Sequence, residues 1–238
     1  MLMPALKRMP ELKMRLPEES KRNDFYTPGG LQVYFKDDLL NNVDVESVVA
    51  KVESTLPDHL RSEVDMIVIG HFDEFEERSI NAFYDSGALY VSNVQTDEED
   101  LYDDLVHEIS HSLEGPYGYE IYGDEEVKNE FLLKREHLYN ILWKAGFKAP
   151  RSFFDNVEFD EEFDKFLHQE VGYDKLSTLM RGLFINPYAA TSLREYFATG
   201  FTDFYLYPDH SNLQRISPRL YKKLLMLHDP KKLDNAIA

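Results

Sequence analysis

His107, Glu108 and His111 form the pattern His-Glu-x-x-His within the segment DLVHEISHSLE. On a helix, residues four positions apart lie on one face, one turn apart, so both imidazoles can reach a single ion. Two histidines at this spacing are typical of a zinc site, and the glutamate between them is placed to take a proton from water. The three residues therefore predict hydrolytic chemistry at zinc.

The helix that carries this pattern is predicted to have a separate core face. His107 and His111 lie outside an apolar arc of about 140°. Thr96 and Glu99 match a capping box that predicts the start of the helix, and Gly115-Pro116 predicts its end. The alternative is a chance occurrence of the pattern, because the chain has eight histidines. The apolar arc consists of Leu101, Tyr102, Leu105, Val106, Ile109 and Leu113.

A hydrolytic zinc site usually has a third protein ligand in addition to two histidines. The chain has no cysteine, so this ligand must be a histidine, an aspartate or a glutamate. No third histidine follows at short range, and His137, His168, His210 and His228 occur in contexts that indicate surface or packed residues. A carboxylate is therefore the expected third ligand.

A second segment, NPYAATSLREYFATGFTDFYL, resembles the glutamate helix of the anthrax-lethal-factor-like metallopeptidases, a gluzincin group that includes the Pro-Pro endopeptidases. Tyr188, then Glu195 and the run YFATGF carry the resemblance, and the later ISPRLYKKLL is similar to a helix that closes those domains. The resemblance implies one Zn²⁺ per chain, held by His107, His111 and Glu195. It also implies Glu108 as the general base and Tyr188 as the hydroxyl that stabilises the oxyanion.

The glutamates allow two other interpretations. Ser192-x-x-Glu195 is itself a capping-box pattern, which needs no metal. Glu130 lies 19 positions after His111, a spacing similar to that of thermolysin-like enzymes, and an exposed ion pair with Lys134 is its simpler explanation. In favour of Glu195, Ala198 leaves space beside it and three aromatic residues are predicted on the opposite side of its helix. These are Phe197, Phe201 and Phe204.

Strand patterns precede a mostly helical second half. Residues 31–35 and 65–70 are predicted strands, and residues 80–93 a hairpin around Asp85-Ser86-Gly87. The resemblance implies that the strand ALYVS of this hairpin holds an extended peptide by edge pairing. These patterns predict an α+β fold, and the resemblance implies that it is zincin-like, with a small mixed sheet and an active-site helix. Further helices are predicted over residues 43–56, 124–146, 159–169, 173–183, 191–206 and 217–228.

The domain organisation follows from composition and spacing. Residues 1–30, with four prolines and a PGG, are predicted to be an irregular N-terminal arm. The resemblance implies that residues 31–238 form a single zincin-like metallopeptidase domain. Within it, a helical insert at about 116–183 separates His111 from Glu195 by 84 positions, and it is interpreted as a scaffold or as a lid over the substrate.

Charge and composition restrict the possible partners. A formal net charge of −18 argues against nucleic acid and membranes as partners and favours a basic or extended peptide. The resemblance implies a protein or peptide substrate and adds proline-containing peptides as candidates. Since the sequence has no signal-peptide pattern and no transmembrane stretch, we expect a cytoplasmic protein, or one released without a signal peptide. The expected function is a zinc-dependent endopeptidase. The alternatives are a small-molecule metallohydrolase and a non-catalytic structural or assembly protein that retains a zincin fold.

Overall fold

A computed structural model describes residues 24–78, 80–229 and 231 of the chain. Residues 1–23 of the predicted N-terminal arm lie outside this part. Within the described part of the arm, Phe25–Tyr26 forms strand β1, which pairs antiparallel with the next strand. Thr27 then accepts backbone hydrogen bonds that close a turn around Gly30, whose φ is 91°.

A five-stranded mixed sheet forms the first layer, with the strand order β1-β2-β3-β5-β4. Strands β2 (Gln32–Phe35), β3 (Met66–Gly70) and β5 (Ala88–Ser92) run parallel to one another, and β4 (Ala82–Asp85) is antiparallel to β5. The central strand β3 is apolar throughout because both of its faces are covered. The hairpin is confirmed, and positive φ angles at Ser86 and Gly87 close its tight turn.

The sheet topology corrects one expectation. Strand β5, which has the sequence ALYVS, is not an edge strand, because it lies between β3 and β4. The free edge on this side of the sheet belongs to β4 instead. Any peptide that extends the sheet on this side must therefore pair with β4.

The helices follow the predicted plan with local differences. Predicted helices over 43–56, 124–146, 191–206 and 217–228 are confirmed, and those over 159–169 and 173–183 are joined by a π-helical segment, Phe166–Gly172. Short 3₁₀ turns occupy Asp58–Leu60 and Tyr188–Ala190. The α-helices are α1 (Val45–Thr55), α2 (Asp73–Arg78), α3 (Glu98–Ser112), α4 (Glu114–Tyr122), α5 (Glu126–Lys144), α6 (Arg151–Asp155), α7 (Glu161–Lys165), α8 (Tyr173–Leu179), α9 (Leu193–Leu206), α10 (Ser211–Ile216) and α11 (Pro218–His228).

Both predicted boundary signals of helix α3 are wrong in detail. The N-cap is Asp97 rather than Thr96, since its carboxylate accepts from the backbone N–H groups of Glu99 and Asp100, at 3.0 Å each. Asp100 in turn accepts from the backbone N–H of Thr96 at 2.9 Å. The pair Gly115-Pro116 does not stop the helix but lies in the first turn of α4. Backbone N–H groups in a first turn have no partner within the helix, so proline, which lacks this group, is tolerated there.

Helix α3 lies in the middle of the core, between the sheet and the C-terminal helices. It packs against α1, β4, β5 and α9. All six residues of the predicted apolar arc are buried, at 3% exposure or less, which confirms the core face of this helix. A smaller apolar cluster around Phe72 and Phe75 covers the other face of the sheet. The arrangement of a mixed sheet and many helices fits the predicted α+β class.

None of the helices in the described residues combines the length and the apolar character needed to cross a membrane.

Candidate metal centre

Helix α3 presents both histidines at the floor of a cleft. Because its apolar arc is buried in the core, the opposite part of the helix faces the cleft, and the imidazole rings of His107 and His111 lie 5.1 Å apart between centroids. The carboxylate of Glu108 adjoins them. Each of the three residues offers one ligand atom within 4.8 Å of the other two.

Helix α9 brings Glu195 to the same point. Its Oε2 lies 3.0 Å from Nε2 of His107, and its Oε1 lies 3.5 Å from Nε2 of His111. The helix begins at Ser192, whose hydroxyl accepts from the Glu195 backbone N–H at 3.1 Å. The capping interpretation is thus correct for Ser192, while the Glu195 carboxylate faces the histidines. Phe197 and Phe201 are fully buried on the other side of the helix.

Glu130 is engaged elsewhere in the fold. Its carboxylate accepts from the Tyr196 hydroxyl at 2.8 Å and from the backbone N–H groups of Arg219 and Leu220 at 2.9 and 3.2 Å. It therefore caps the N-terminus of α11. The expected exposed ion pair with Lys134 is wrong as well, since Lys134 is buried and donates to two backbone carbonyl groups.

The atoms of this group fit a zinc ion in number, type and spacing. Two ligands at about 2.0–2.1 Å from a tetrahedral zinc ion are about 3.3 Å from each other. The separations of 3.0 and 3.5 Å between the Glu195 oxygens and the two imidazole nitrogens match this value. Glu108 competes with Glu195 as the third ligand, because it also offers an oxygen within 4.8 Å of a nitrogen of each histidine. Glu195 is favoured because its two oxygens lie 3.0 and 3.5 Å from the Nε2 atoms of His107 and His111. Two imidazoles and one carboxylate on the wall of an open cleft are the donor set of a hydrolytic zinc site.

Charge coupling within the group is strong. Burial favours the neutral form of Glu195, but hydrogen bonds from His107 and His111 outweigh it and hold the pKa of Glu195 well below its usual range. Burial alone would lower the pKa of His111, but the carboxylates of Glu114 and Glu195 raise it to about 10. In the metal-free site an ionised carboxylate therefore lies beside a protonated imidazole. A divalent cation that binds there displaces the proton of the imidazole.

No protein-family model, curated protein or solved structure matches this chain. The chemistry of the cleft is therefore inferred from its own residues.

Burial and neighbouring charges shift the pKa values of both Glu108 and Tyr188. Burial raises the pKa of Glu108, two histidines oppose the increase and Glu195 adds to it. A carboxylate with a raised pKa is a better proton acceptor. The Tyr188 ring lies 6.0 Å from the His107 ring, and burial with the charges of Glu195 and Glu108 raises the pKa of Tyr188 far above its usual value. Its hydroxyl therefore stays protonated and can donate a hydrogen bond.

The free edge of β4 forms part of the cleft. In the antiparallel β4–β5 pair, hydrogen-bonded and non-hydrogen-bonded positions alternate. Asn81 accepts from the Ser92 backbone N–H at 2.8 Å, which assigns positions 81, 83 and 85 to the ladder. The backbone groups of Ala82 and Tyr84 therefore point to the free edge, and Tyr84 interacts with Glu108 through its backbone. The cleft has a volume of roughly 1420 Å³.

The helical insert also lines the cleft with four residues that sequence reasoning missed, Phe159, Asp164, His168 and Tyr173. The Tyr173 hydroxyl donates to Asp164 at 3.3 Å, and the His168 ring lies 5.0 Å from the Tyr173 ring. In a continuous α-helix, positions nine apart point in opposite directions. The π-helical segment and Gly172, with φ of 83°, bring Asp164 and Tyr173 together. His168, expected to be a surface or packed residue, is exposed within the cleft.

The cleft is strongly acidic. Ten carboxylate residues line it, and Arg194 is the single lysine or arginine among the described residues of the lining. Arg194 is already paired with Glu114 at 2.6 Å. Burial raises the pKa of Asp103, Asp104 and Asp203. A cation placed near them would stabilise their charged forms.

Proposed function

We propose that the protein is a zinc-dependent endopeptidase with a zincin-like catalytic domain, in which His107, His111 and Glu195 hold one Zn²⁺. The observation that supports this most is the position of the Glu195 carboxylate. Each of its oxygens faces a different histidine of the His-Glu-x-x-His pattern, although 88 positions of sequence separate Glu195 from His107. A resemblance of two short sequence segments predicts the same three ligands.

In this proposal the other residues take the roles that the resemblance implies. Zinc, when bound, would activate water and polarise the scissile carbonyl group. Glu108 accepts a proton as the water oxygen bonds to the carbonyl carbon, and it delivers this proton to the amine nitrogen as the C–N bond breaks. Tyr188 donates a hydrogen bond to the carbonyl oxygen while negative charge develops on it. Its raised pKa keeps this donor available.

The shape and charge of the cleft support a peptide as the substrate. The backbone groups of Ala82 and the backbone carbonyl of Tyr84 face the β4 edge and can hydrogen-bond an extended chain, which is a common way to hold a peptide, while the Tyr84 N–H is engaged by Glu108. The acidic lining favours a peptide with lysine or arginine residues. Proline-containing peptides remain candidates through the resemblance alone.

The test is a digest of a peptide library by zinc-loaded protein, with the products read by mass spectrometry. The library contains pairs of peptides that differ at one position, which is lysine in one peptide and norleucine in the other. Cleavage is expected with wild type, is lost on chelation and returns with added zinc. A Glu108→Gln protein is the control for contaminating proteases. Zinc-loaded, folded wild type that leaves every peptide intact would contradict the proposal and favour a non-catalytic role.

A further inference from the structure

Helix α5 carries two adjacent cations that are buried. The side chain of Lys134 is 6% exposed and that of Arg135 is fully buried. In the part of the chain that the structure describes, neither forms a salt bridge with a carboxylate, and both bind backbone carbonyl oxygens instead. Such an arrangement costs stability, since apolar residues of similar size avoid the desolvation of a charge.

Arg135 holds the chain just before helix α9. One of its guanidinium nitrogens, Nη1, donates to the carbonyl oxygens of Ala190 and Thr191, the latter at 3.2 Å. The other, Nη2, donates to Phe153 and to Asn156, the latter at 3.0 Å. Residues 190 and 191 directly precede the N-cap of the helix that carries Glu195. Arg135 therefore ties the insert to the start of this helix.

The guanidinium group is also fixed by its surroundings. It lies 4.1 Å from the centroid of the Phe163 ring and 5.1 Å from that of Phe131. A further link joins the same two regions, since the backbone N–H of Leu193 donates to the Val157 carbonyl at 2.8 Å. The start of α9 thus has two attachments to the insert.

Lys134 holds the other end of the same segment. Its ammonium group donates to the carbonyl oxygens of Leu183 and Ile216 at 2.6 and 2.7 Å. Segment 183–191 is therefore bound at both ends by adjacent residues of one helix. Tyr188 lies between these two points, and Glu195 follows the second by one turn of helix. Burial lowers the pKa of Lys134 to about 8, and the nearby charge of Glu130 opposes this decrease.

We propose that Lys134 and Arg135 are positioning residues, which fix Tyr188 and Glu195 relative to the histidines of α3 by binding both ends of segment 183–191. The helical insert then sets the geometry of the metal centre, and is more than a lid or a passive scaffold. Arg135 acts mainly on Glu195, and hence on the metal. Lys134 acts mainly on Tyr188. The proposal rests on the proposed metal site, and its kinetic part rests on the proposed peptidase activity.

The test compares Arg135→Met with Lys223→Met. Lys223 is a matched control, because it is also buried and also binds a carbonyl oxygen, that of Glu120 at 2.7 Å, with Asp124 at 2.8 Å. It does not touch segment 183–191. Both variants are expected to lose thermal stability. Zinc affinity is measured by competition with a chromogenic chelator. It is expected to fall about 10–100-fold in Arg135→Met, as it does for other residues that support metal ligands. In Lys223→Met it is expected to stay within about twofold of wild type.

The absorption spectrum of bound Co²⁺ gives a second readout that stability alone does not move. It is expected to change in Arg135→Met and to remain as in wild type in Lys223→Met. Arg135→Lys replaces the methionine variant in this test if Arg135→Met fails to fold. Lysine keeps the positive charge but cannot reach all four carbonyl groups, so its zinc affinity should lie between those of wild type and Arg135→Met. A folded Arg135 variant with wild-type zinc affinity and cobalt spectrum overturns the proposal.

Kinetics test the role of Lys134. Lys134→Met is expected to lower kcat with little change in KM or zinc content. In the double variant with Tyr188→Phe it is expected to lower kcat little further, because both changes act on the Tyr188 hydroxyl. Additive effects would contradict this role. Wild type that binds zinc but cleaves no peptide would refute the proposed activity, while the metal affinities of the Arg135 variants would still decide the positioning proposal.

Discussion

Nε2 of His107 and Oε2 of Glu195 lie 3.0 Å apart, although the two residues are separated by 88 positions in the chain. Helices α3 and α9 pack together and bring them to this distance. The carboxylate also reaches His111 with its other oxygen at 3.5 Å. A glutamate that served only to cap its own helix would not need to face two imidazoles, so this relationship is the basis of the metal-site proposal.

Glu195 and Glu130 should respond differently to replacement by alanine. Glu195→Ala removes a proposed ligand, so zinc content measured by mass spectrometry is expected to fall far below one per chain. Glu130→Ala is expected to keep zinc and to lose about 1–2 kcal/mol of unfolding free energy, because α11 loses its capping carboxylate. Zinc loss in Glu130→Ala with zinc retained in Glu195→Ala would exclude the proposed ligand set.

Glu108→Gln should separate binding from chemistry. The amide has nearly the same shape as the carboxylate but cannot accept a proton from water. We expect zinc content and thermal stability close to those of wild type, and a loss of about 10²–10⁴-fold in kcat on a cleaved peptide. Activity within twofold of wild type would remove Glu108 from the role of general base.

Tyr188→Phe should act on the transition state. The hydroxyl is expected to bond the carbonyl oxygen only as negative charge develops, so its loss lowers kcat and leaves KM and zinc content nearly unchanged. Removal of one such donor costs about 3 kcal/mol in comparable sites. A rise in KM alone would show that Tyr188 binds the ground state of the substrate.

Zinc binding should release a proton. The neighbouring carboxylates outweigh burial and raise the pKa of His111 from 6.5 to about 10, so this imidazole is protonated at pH 7.5 in the metal-free protein. In that form the ion pair contributes stability that is fully present below pH 6.5 and is lost as the pH rises towards about 10. Zinc needs the neutral imidazole, and calorimetry in buffers of different ionisation enthalpy should detect release of about one proton per chain. Uptake of protons, or none exchanged, would contradict this charge state.

The parts of the site that depend on local pattern were predictable from the sequence. The apolar arc of α3 and the spacing of His107 and His111 follow from helical periodicity, and the Ser192 cap from a short motif. The strand order was not predictable in this way, because nothing within ALYVS shows which strand pairs on its other side. The π-helical segment also has the apolar periodicity of an ordinary helix, so the position of Tyr173 in the cleft could not be seen.

Lys134 and Arg135 show a different limit. In the sequence they fall within an amphipathic helix rich in charged residues, where cations normally face solvent. Their partners are carbonyl oxygens of residues 183, 190, 191 and 216, among others. Backbone groups leave no mark in a sequence pattern, and contacts over 49 to 82 positions depend on the complete fold. Sequence reasoning therefore predicts the proposed ligands but misses Lys134 and Arg135, the residues proposed to position them.

The most direct measurement of the central claim is anomalous diffraction at the zinc absorption edge from crystals of zinc-loaded protein. We predict one strong peak per chain, with Nε2 of His107, Nε2 of His111 and a carboxylate oxygen of Glu195 at about 2.0–2.2 Å from it. A peak that Glu195 does not touch, or no peak between these three side chains in zinc-loaded crystals, would contradict the account.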